Sequence, residues 1–224
     1  VYKRQVQGPK AADVLAKVFG ERIYSIKKFN FDYFSLDGSS QLIAKTGYSR
    51  IGGFEIYLSR PELGSSLWET ILEAGRSENI RPGSPNIIDR VEAGLLSFGN
   101  EMTVENTPLE CNMDKFLDIN KEADYIGKKV LQRQIRYGIK RRIRGVIYNG
   151  PKLPTISRPL QVFDIDKRTI VGSLTSGAFS PHFKRNIGVG MIKYGYWDNN
   201  KKILVNIADQ EFREGLIKDL PLIQ

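Results

Sequence analysis

The apolar positions of this chain change period along its length. From Lys10 to Phe19, Ala11, Val14, Leu15 and Val18 recur at helical spacing, and Gly20 stops the run. Phe29–Ser35 is aromatic-rich and reads as a strand, Asp37-Gly38 as a hairpin turn, and Ser40–Lys45 as the returning strand. Gly47–Gly53 is a loop and Phe54–Leu58 another strand. Arg60-Pro61 opens a helix through Ala74, with Leu63, Leu67, Ile71 and Leu72 on one face. Pro82–Pro85 is a loop, Asn86–Phe98 a helix, and Thr107–Phe116 a short helix or extended turn. Tyr125–Tyr137 is helical and ends at Gly138. After that the period is two. Arg142–Tyr148, Leu160–Ile165, Ile170–Thr175, Ile187–Ile192 and Ile203–Ile207 are short β-like runs separated by turns. The pattern predicts an α+β sandwich in residues 1–138 and a small antiparallel barrel or sandwich in residues 139–224.

Composition narrows the classes. No apolar run has the length of a membrane span, and no apolar stretch near the start resembles a signal peptide. Cys111 is the only cysteine and His182 the only histidine, which excludes an internal disulfide, argues against a zinc site and suits a reducing, cytoplasmic setting. The first residue is Val, not Met. Val6–Gly8 reads as a strand entered in mid-course, so Val1–Gln5 is expected to be foreign sequence at a truncated end. Net charge is +9, with much of it between Lys128 and Arg144, where no acidic residue occurs. That run has the charge to hold phosphates or a polyglutamate tail. It has no interleaved aromatic pattern for stacking bases, so a solvated helix face is the preferred reading and no nucleic-acid partner is expected.

Three other segments carry candidate chemistry. In Gly47–Glu55 (GYSRIGGFE), glycines allow sharp turns and close approach, Tyr48 offers a flat face, and Glu55 stands at a loop-to-strand junction. A carboxylate there can accept paired hydrogen bonds from an amino-pyrimidine edge. The same residues also fit a glycine-rich hairpin with a surface Glu, and physics alone leaves both readings open. Asn86–Gly99 (NIIDRVEAGLLSFG) places Asp89, Arg90 and Glu92 on a helix, where Arg90 is either a ligand group or tied to a neighbouring acid. Thr175–Pro181 (TSGAFSP) supplies small hydroxyls, read first as a tight strand connection. Neither His182 nor Cys111 has the partners of a nucleophilic triad.

In order, these segments resemble the glycine-cleavage aminomethyltransferase (T-protein) superfamily. GYSRIGGFE stands in place of Gly-Tyr-Thr-Gly-Glu-x-Gly-Phe/Tyr-Glu, and RVEAGLLSFGNEM in place of the Arg-Leu-Glu-Ala-Gly helix. TPLE, YIGKKVL and VGSLTSGAFSP with IGVGMI follow in sequence. The resemblance implies a three-lobed folate-binding fold closed by a C-terminal β-barrel, with tetrahydrofolate as cofactor. It implies that Glu55 holds the pterin edge and that Tyr48, Ser49 and Arg90 line the pocket. The family's catalytic Asp falls outside this sequence, so no catalytic residue is assigned. Ser49-Arg50 replaces Thr-Gly, Pro85-Asn86 replaces an Arg of the T-protein, and the C-terminal segment also differs. These departures resemble the dimethylsulfoniopropionate demethylase branch, which implies a small sulfonium methyl donor. The cysteine motif of the iron–sulfur repair branch is missing at Ala123–Lys129.

Overall fold

The computed structural model describes residues 2–84 and 86–223. Val1 and Pro85, which enter the expectations above, lie outside the described residues. The chain forms two compact units, one ending at Asn86 and the other beginning at Ile87.

The first unit is an α/β sandwich. Its strands are β1 (Tyr2–Gln7), β2 (Phe31–Leu36), β3 (Ser39–Ala44) and β4 (Gly53–Leu58), and the helices are α1 (Ala11–Phe19) and α2 (Leu63–Ala74). The sheet order is β1-β4-β3-β2, with every pairing antiparallel. Alternation gives each strand one apolar side. Val6, Phe34, Leu36, Ile43, Phe54, Ile56 and Leu58 meet Val14 and Leu15 of α1 and Leu67 and Ile71 of α2 in one core. Each such large side chain, fully buried, contributes about 1.5–3 kcal/mol. The opposite face of the sheet has no helix against it within this unit, and it carries Glu55.

The second unit begins with α3 (Ile87–Glu92), continues through turns to α4 (Lys128–Tyr137), and closes as a barrel. The barrel strands are β5 (Arg141–Tyr148), β6 (Leu160–Phe163), β7 (Ile170–Ser180), β8 (Arg185–Lys193), β9 (Lys202–Ala208) and β10 (Glu211–Lys218). They close in the order β10-β5-β8-β7-β6-β9, all antiparallel. Val146, Tyr148, Leu174, Ile192, Ile203, Val205 and Ile217 fill the interior. Strands β5 and β8 are buried on both sides, because Ile143, Ile187 and Val189 point outward onto Val91 and Cys111. This explains their near-continuous apolar reading. The α+β assignment and the C-terminal antiparallel barrel agree with the expectation from sequence.

Several element readings need correction. The helix expected over Asn86–Phe98 ends at Glu92. Gly94 is left-handed (φ 66°), with its N–H on the Val91 carbonyl and the Leu95 N–H on the Arg90 carbonyl. That is a Schellman stop, and an apolar Gly-Leu-Leu run hid it. The helix expected from Tyr125 starts at Lys128, after a left-handed Gly127. Thr175–Ser180 continues β7 and is not a connection. Strand β10 has no counterpart among the expected β-like runs, because its Glu211, Arg213 and Glu214 dilute the period-two signal.

The barrel requires close backbone approach at Gly190, where an added Cβ would lie 1.9 Å from the Ser173 carbonyl oxygen. Gly190→Ala must part β7 from β8. It is expected to destabilise the protein by about 1–3 kcal/mol, in the range of overpacking, as measured by urea unfolding; an unchanged midpoint would refute this tight register.

Candidate functional site

Glu55 lies on the uncovered face of the first unit's sheet, yet its side chain is only 13% exposed. A carboxylate so placed requires protein donors, and the neighbouring strands supply them. Oε1 accepts from Lys3 Nζ at 2.6 Å and from Gln5 Nε2 at 2.7 Å. Oε2 accepts from the Thr46 hydroxyl and, at 3.4 Å, from the Tyr57 hydroxyl. Strand register explains why these residues meet. Gln5 is directly opposite Glu55 on β1, and Lys3 is opposite Tyr57. Burial pushes the Glu55 carboxyl up, but the hydrogen bonds from Lys3, Thr46 and Gln5 and the charge of Lys3 outweigh it. The group is held below the ordinary carboxylate range and stays ionised.

The loop before Glu55 is pinned to the same strand. Gln7 donates to the Thr46 carbonyl at 3.4 Å and accepts from the Ser49 hydroxyl at 3.1 Å. A Cβ at Gly47 would sit 2.2 Å from Gln7 Oε1, and one at Gly53 (φ 147°) would sit 2.4 Å from the Val6 carbonyl oxygen. Two of the loop's glycines therefore make room for β1. Tyr48 is half-buried and Arg50 is exposed. Arg50 adopts φ 59°, a left-handed conformation that glycine takes without strain.

Arg90 belongs to the second unit. Its guanidinium pairs with Glu101 through two bonds of 3.0 and 3.1 Å, and also donates to the Leu95 carbonyl and the Ser176 hydroxyl. Glu101 is fully buried and accepts a further bond from the Ser97 N–H at 2.6 Å. Glu92 accepts a short bond from the Ser180 hydroxyl. The RVEAG and TSGAFSP segments are thus joined residue by residue, Arg90 to Ser176 and Glu92 to Ser180. Glu55, Thr46 and Ser49 cluster in the first unit.

A family model described as GCVT N-terminal domain matches residues 2–121, and a model described as Glycine cleavage T-protein C-terminal barrel domain matches residues 141–220. This chain belongs to the glycine-cleavage T-protein family. It is 41% identical over 192 residues to dimethylsulfoniopropionate demethylase DmdA of Ruegeria pomeroyi, covering 86% of this chain and 51% of that protein. It is 37% identical over 215 residues to an aminomethyltransferase of Caldanaerobacter subterraneus subsp. tengcongensis, covering 95% of this chain and 56% of that protein. The chain thus spans about half the length of these relatives. Its fold matches the crystal structure of glycine cleavage system aminomethyltransferase T from Bartonella henselae, with a TM-score of 0.81 at 23% identity over 99% of this chain and 59% of that one.

The T-protein family match begins at Tyr2. This corrects the expectation that residues up to Gln5 are foreign: Tyr2–Gln5 form most of β1, and two of them hold Glu55. The sequence contains a signal for this, since Lys3, Gln5 and Gln7 alternate with Arg4 and Val6 as a polar strand face. Elsewhere, Lys128 Nζ is drawn to the carbonyls of Lys121, Glu122 and Ala123, while Lys129 and Arg133 of the basic run are exposed. Cys111 is buried, and its thiol is pushed up by that burial and by Glu110. Among the described residues, no helix is long and apolar enough to cross a membrane, and no group of His, Cys, Asp or Glu is placed to hold a metal.

Lys3→Met removes the largest favourable partner of Glu55 while burial remains, so the Glu55 carboxyl pKa should rise, as read by a side-chain NMR titration. Because the folded-state value is depressed, the stability it contributes is present at neutral pH and lost as pH falls through it. The stability gap between wild type and Lys3→Met should therefore narrow on acidification. A Glu55 titration unmoved by the substitution would contradict the assigned contact.

Proposed function

We propose that this chain serves a tetrahydrofolate-dependent one-carbon transfer and that Glu55 binds the pterin edge of the folate. The observation that carries this reading is the ionised Glu55, held by Lys3, Gln5 and Thr46 on an uncovered sheet face beside the GYSRIGGFE loop. The residues fit the group. A donor edge that pairs with both oxygens needs one position on each. The long Tyr57 contact on Oε2 and the half-exposed Lys3 on Oε1 are the partners that can yield, while Gln5 and Thr46 keep the carboxylate aimed. Tyr48 and Ser49 border the same loop. Arg90, locked to Glu101, acts as framework for its own unit. When bound, tetrahydrofolate supplies the nitrogen that receives the one-carbon unit. The chain's task is to orient it and exclude water, which is catalysis by positioning.

The donor we propose is a small sulfonium carboxylate of the dimethylsulfoniopropionate kind, in a cytoplasmic setting. The donor would give its methyl group to the bound folate, with one proton released, and would leave as the neutral thioether methylmercaptopropionate, while Glu55, Gln5 and Thr46 would hold the folate's donor edge. Support comes from the 41% relative's name and from Ser49-Arg50 and Asn86, three departures from the T-protein pattern. Arg50 is the most telling of them. It keeps a side chain at a left-handed position within the candidate loop, at a cost of about 1–2 kcal/mol that glycine would not incur. A guanidinium can pair with the donor's carboxylate. An aminomethyltransferase, the activity named for the 37% relative, is the second reading, and a non-catalytic folate-binding protein the third.

In the full-length protein, Glu55→Gln should weaken tetrahydrofolate binding about 10–100-fold, the worth of one charge-assisted hydrogen bond, by isothermal titration calorimetry. Unchanged affinity would overturn the pterin assignment. Arg50→Gly should alter stability by less than about 1 kcal/mol while raising KM for dimethylsulfoniopropionate. Turnover of glycine-derived or dimethylglycine donors in place of the sulfonium would refute the donor.

A further inference from the structure

The helix side of the first unit carries a cavity of its own. Alternation along β1 turns Lys3 and Gln5 to the uncovered face of the sheet, and Tyr2, Arg4 and Val6 to the helices. Tyr2 packs against α2, where a Cβ at Gly64 would lie 3.1 Å from its ring. The Arg4 guanidinium lies between the Tyr2 and Trp68 rings, 5.2 and 5.6 Å from their centroids. Two aromatic faces therefore orient this cation where no carboxylate does. Its Nε is buried and has no acceptor among the described residues. A buried donor of that kind is unfavourable until a partner completes it.

Beside the guanidinium is a cavity of about 400 Å³, lined by Arg4, Ser65, Trp68, Glu69 and Gly83. That volume is at the small end of the range for ligand sites. Arg4 and Glu69 bring opposite charges to it without pairing with each other, and among the described residues neither has another ion-pair partner. Trp68, 39% exposed, adds an apolar wall. We propose that this cavity binds a small zwitterion, an α-amino acid with an apolar side chain. The carboxylate pairs with Arg4 and the Ser65 hydroxyl, the ammonium with Glu69, and the side chain lies on Trp68. The two charges decide the class of ligand. A simple anion gains Arg4 but is repelled by Glu69, and a simple cation meets the reverse. A molecule that carries both charges gains at both ends. The proposal stands apart from the folate reading, because Arg4 and Glu69 are on the side of the sheet away from Glu55.

The test titrates the full-length protein with L-leucine, L-leucinamide and N-acetyl-L-leucine. The readout is the NMR signal of the Trp68 indole N–H, assigned with Trp68→Phe. Leucinamide lacks the carboxylate, and N-acetylleucine lacks the ammonium. Leucine should move the signal saturably, and each of the other two should bind about tenfold more weakly, the loss of one charge-assisted hydrogen bond. Arg4→Gln should make leucine as weak as leucinamide, and Glu69→Gln should make it as weak as N-acetylleucine, with thermal unfolding as the check on the fold. Glu69 is exposed, so Glu69→Gln decides the matter even if Arg4→Gln does not fold. The proposal is overturned if leucine gives no saturable shift, if leucinamide or N-acetylleucine binds as well as leucine, or if Glu69→Gln leaves leucine binding intact.

Discussion

An ionised carboxylate on a sheet face needs hydrogen-bond donors fixed by the backbone, and much of the first unit follows from meeting that need at Glu55. Two donors come from β1, so β1 must pair antiparallel with β4 in the register that sets Gln5 against Glu55. A third comes from Thr46, at the start of the loop that joins β3 to β4. That loop must fold back toward β1, and Gln7 holds it there. The crowding that results sets Gly53 against the Val6 carbonyl and Gly47 against the end of the Gln7 side chain. The glycines that sequence physics assigned to ligand approach are, at these two positions, a consequence of how the carboxylate is held.

The second unit meets a similar problem with buried pairs. Arg90 and Glu101 are both nearly inaccessible, and removing one partner of such a pair strands a charge, which costs about 3–5 kcal/mol. Each buried carboxylate among the described residues of this unit has a partner: Glu101 in Arg90 and the Ser97 N–H, Glu92 in Ser180, and Glu110 in Arg141 and the Thr107 N–H. The bonds of Arg90 to Ser176 and of Ser180 to Glu92 tie the short helix α3 to β7. A helix of six residues has little stability of its own, so α3 depends on those bonds and on Val91 in the apolar cluster outside the barrel.

Where the period was clean, the sequence could be read. Strands β2, β3 and β4 and helices α1 and α2 fall within a few residues of expectation, because one face of each is buried and the other is not. Reading failed where two signals overlapped. Gly94-Leu95-Leu96 is apolar enough to continue a helix, yet Gly94 ends it. The Thr175–Ser180 hydroxyls resemble turn residues but lie inside a long strand, where they meet Arg90 and Glu92. β10 has charges on its outer face and glycine at Gly215, which masks alternation. For the candidate site, Glu55 and its loop were found from the motif. Lys3, Gln5 and Gln7 were not: their alternation marks a polar strand face, but that its partner is a strand some fifty residues away leaves no local trace.

On the proposed reading, the same geometry would separate what holds the folate from what selects the donor. The Glu55 shell is built from register, in which a one-residue slip would turn Lys3 and Gln5 to the other face. It can change only by rebuilding the sheet. The loop tip is different. Arg50 and Ile51 are exposed, and Gly52 has open space where a Cβ would be. A scaffold of this kind can keep one binding edge and change the substrate presented to it. The names of relatives at 41% and 37% identity, which differ in reaction, accord with that proposal. On the proposed reading, Arg50 at the exposed loop tip is the residue whose chemistry would bear on the donor.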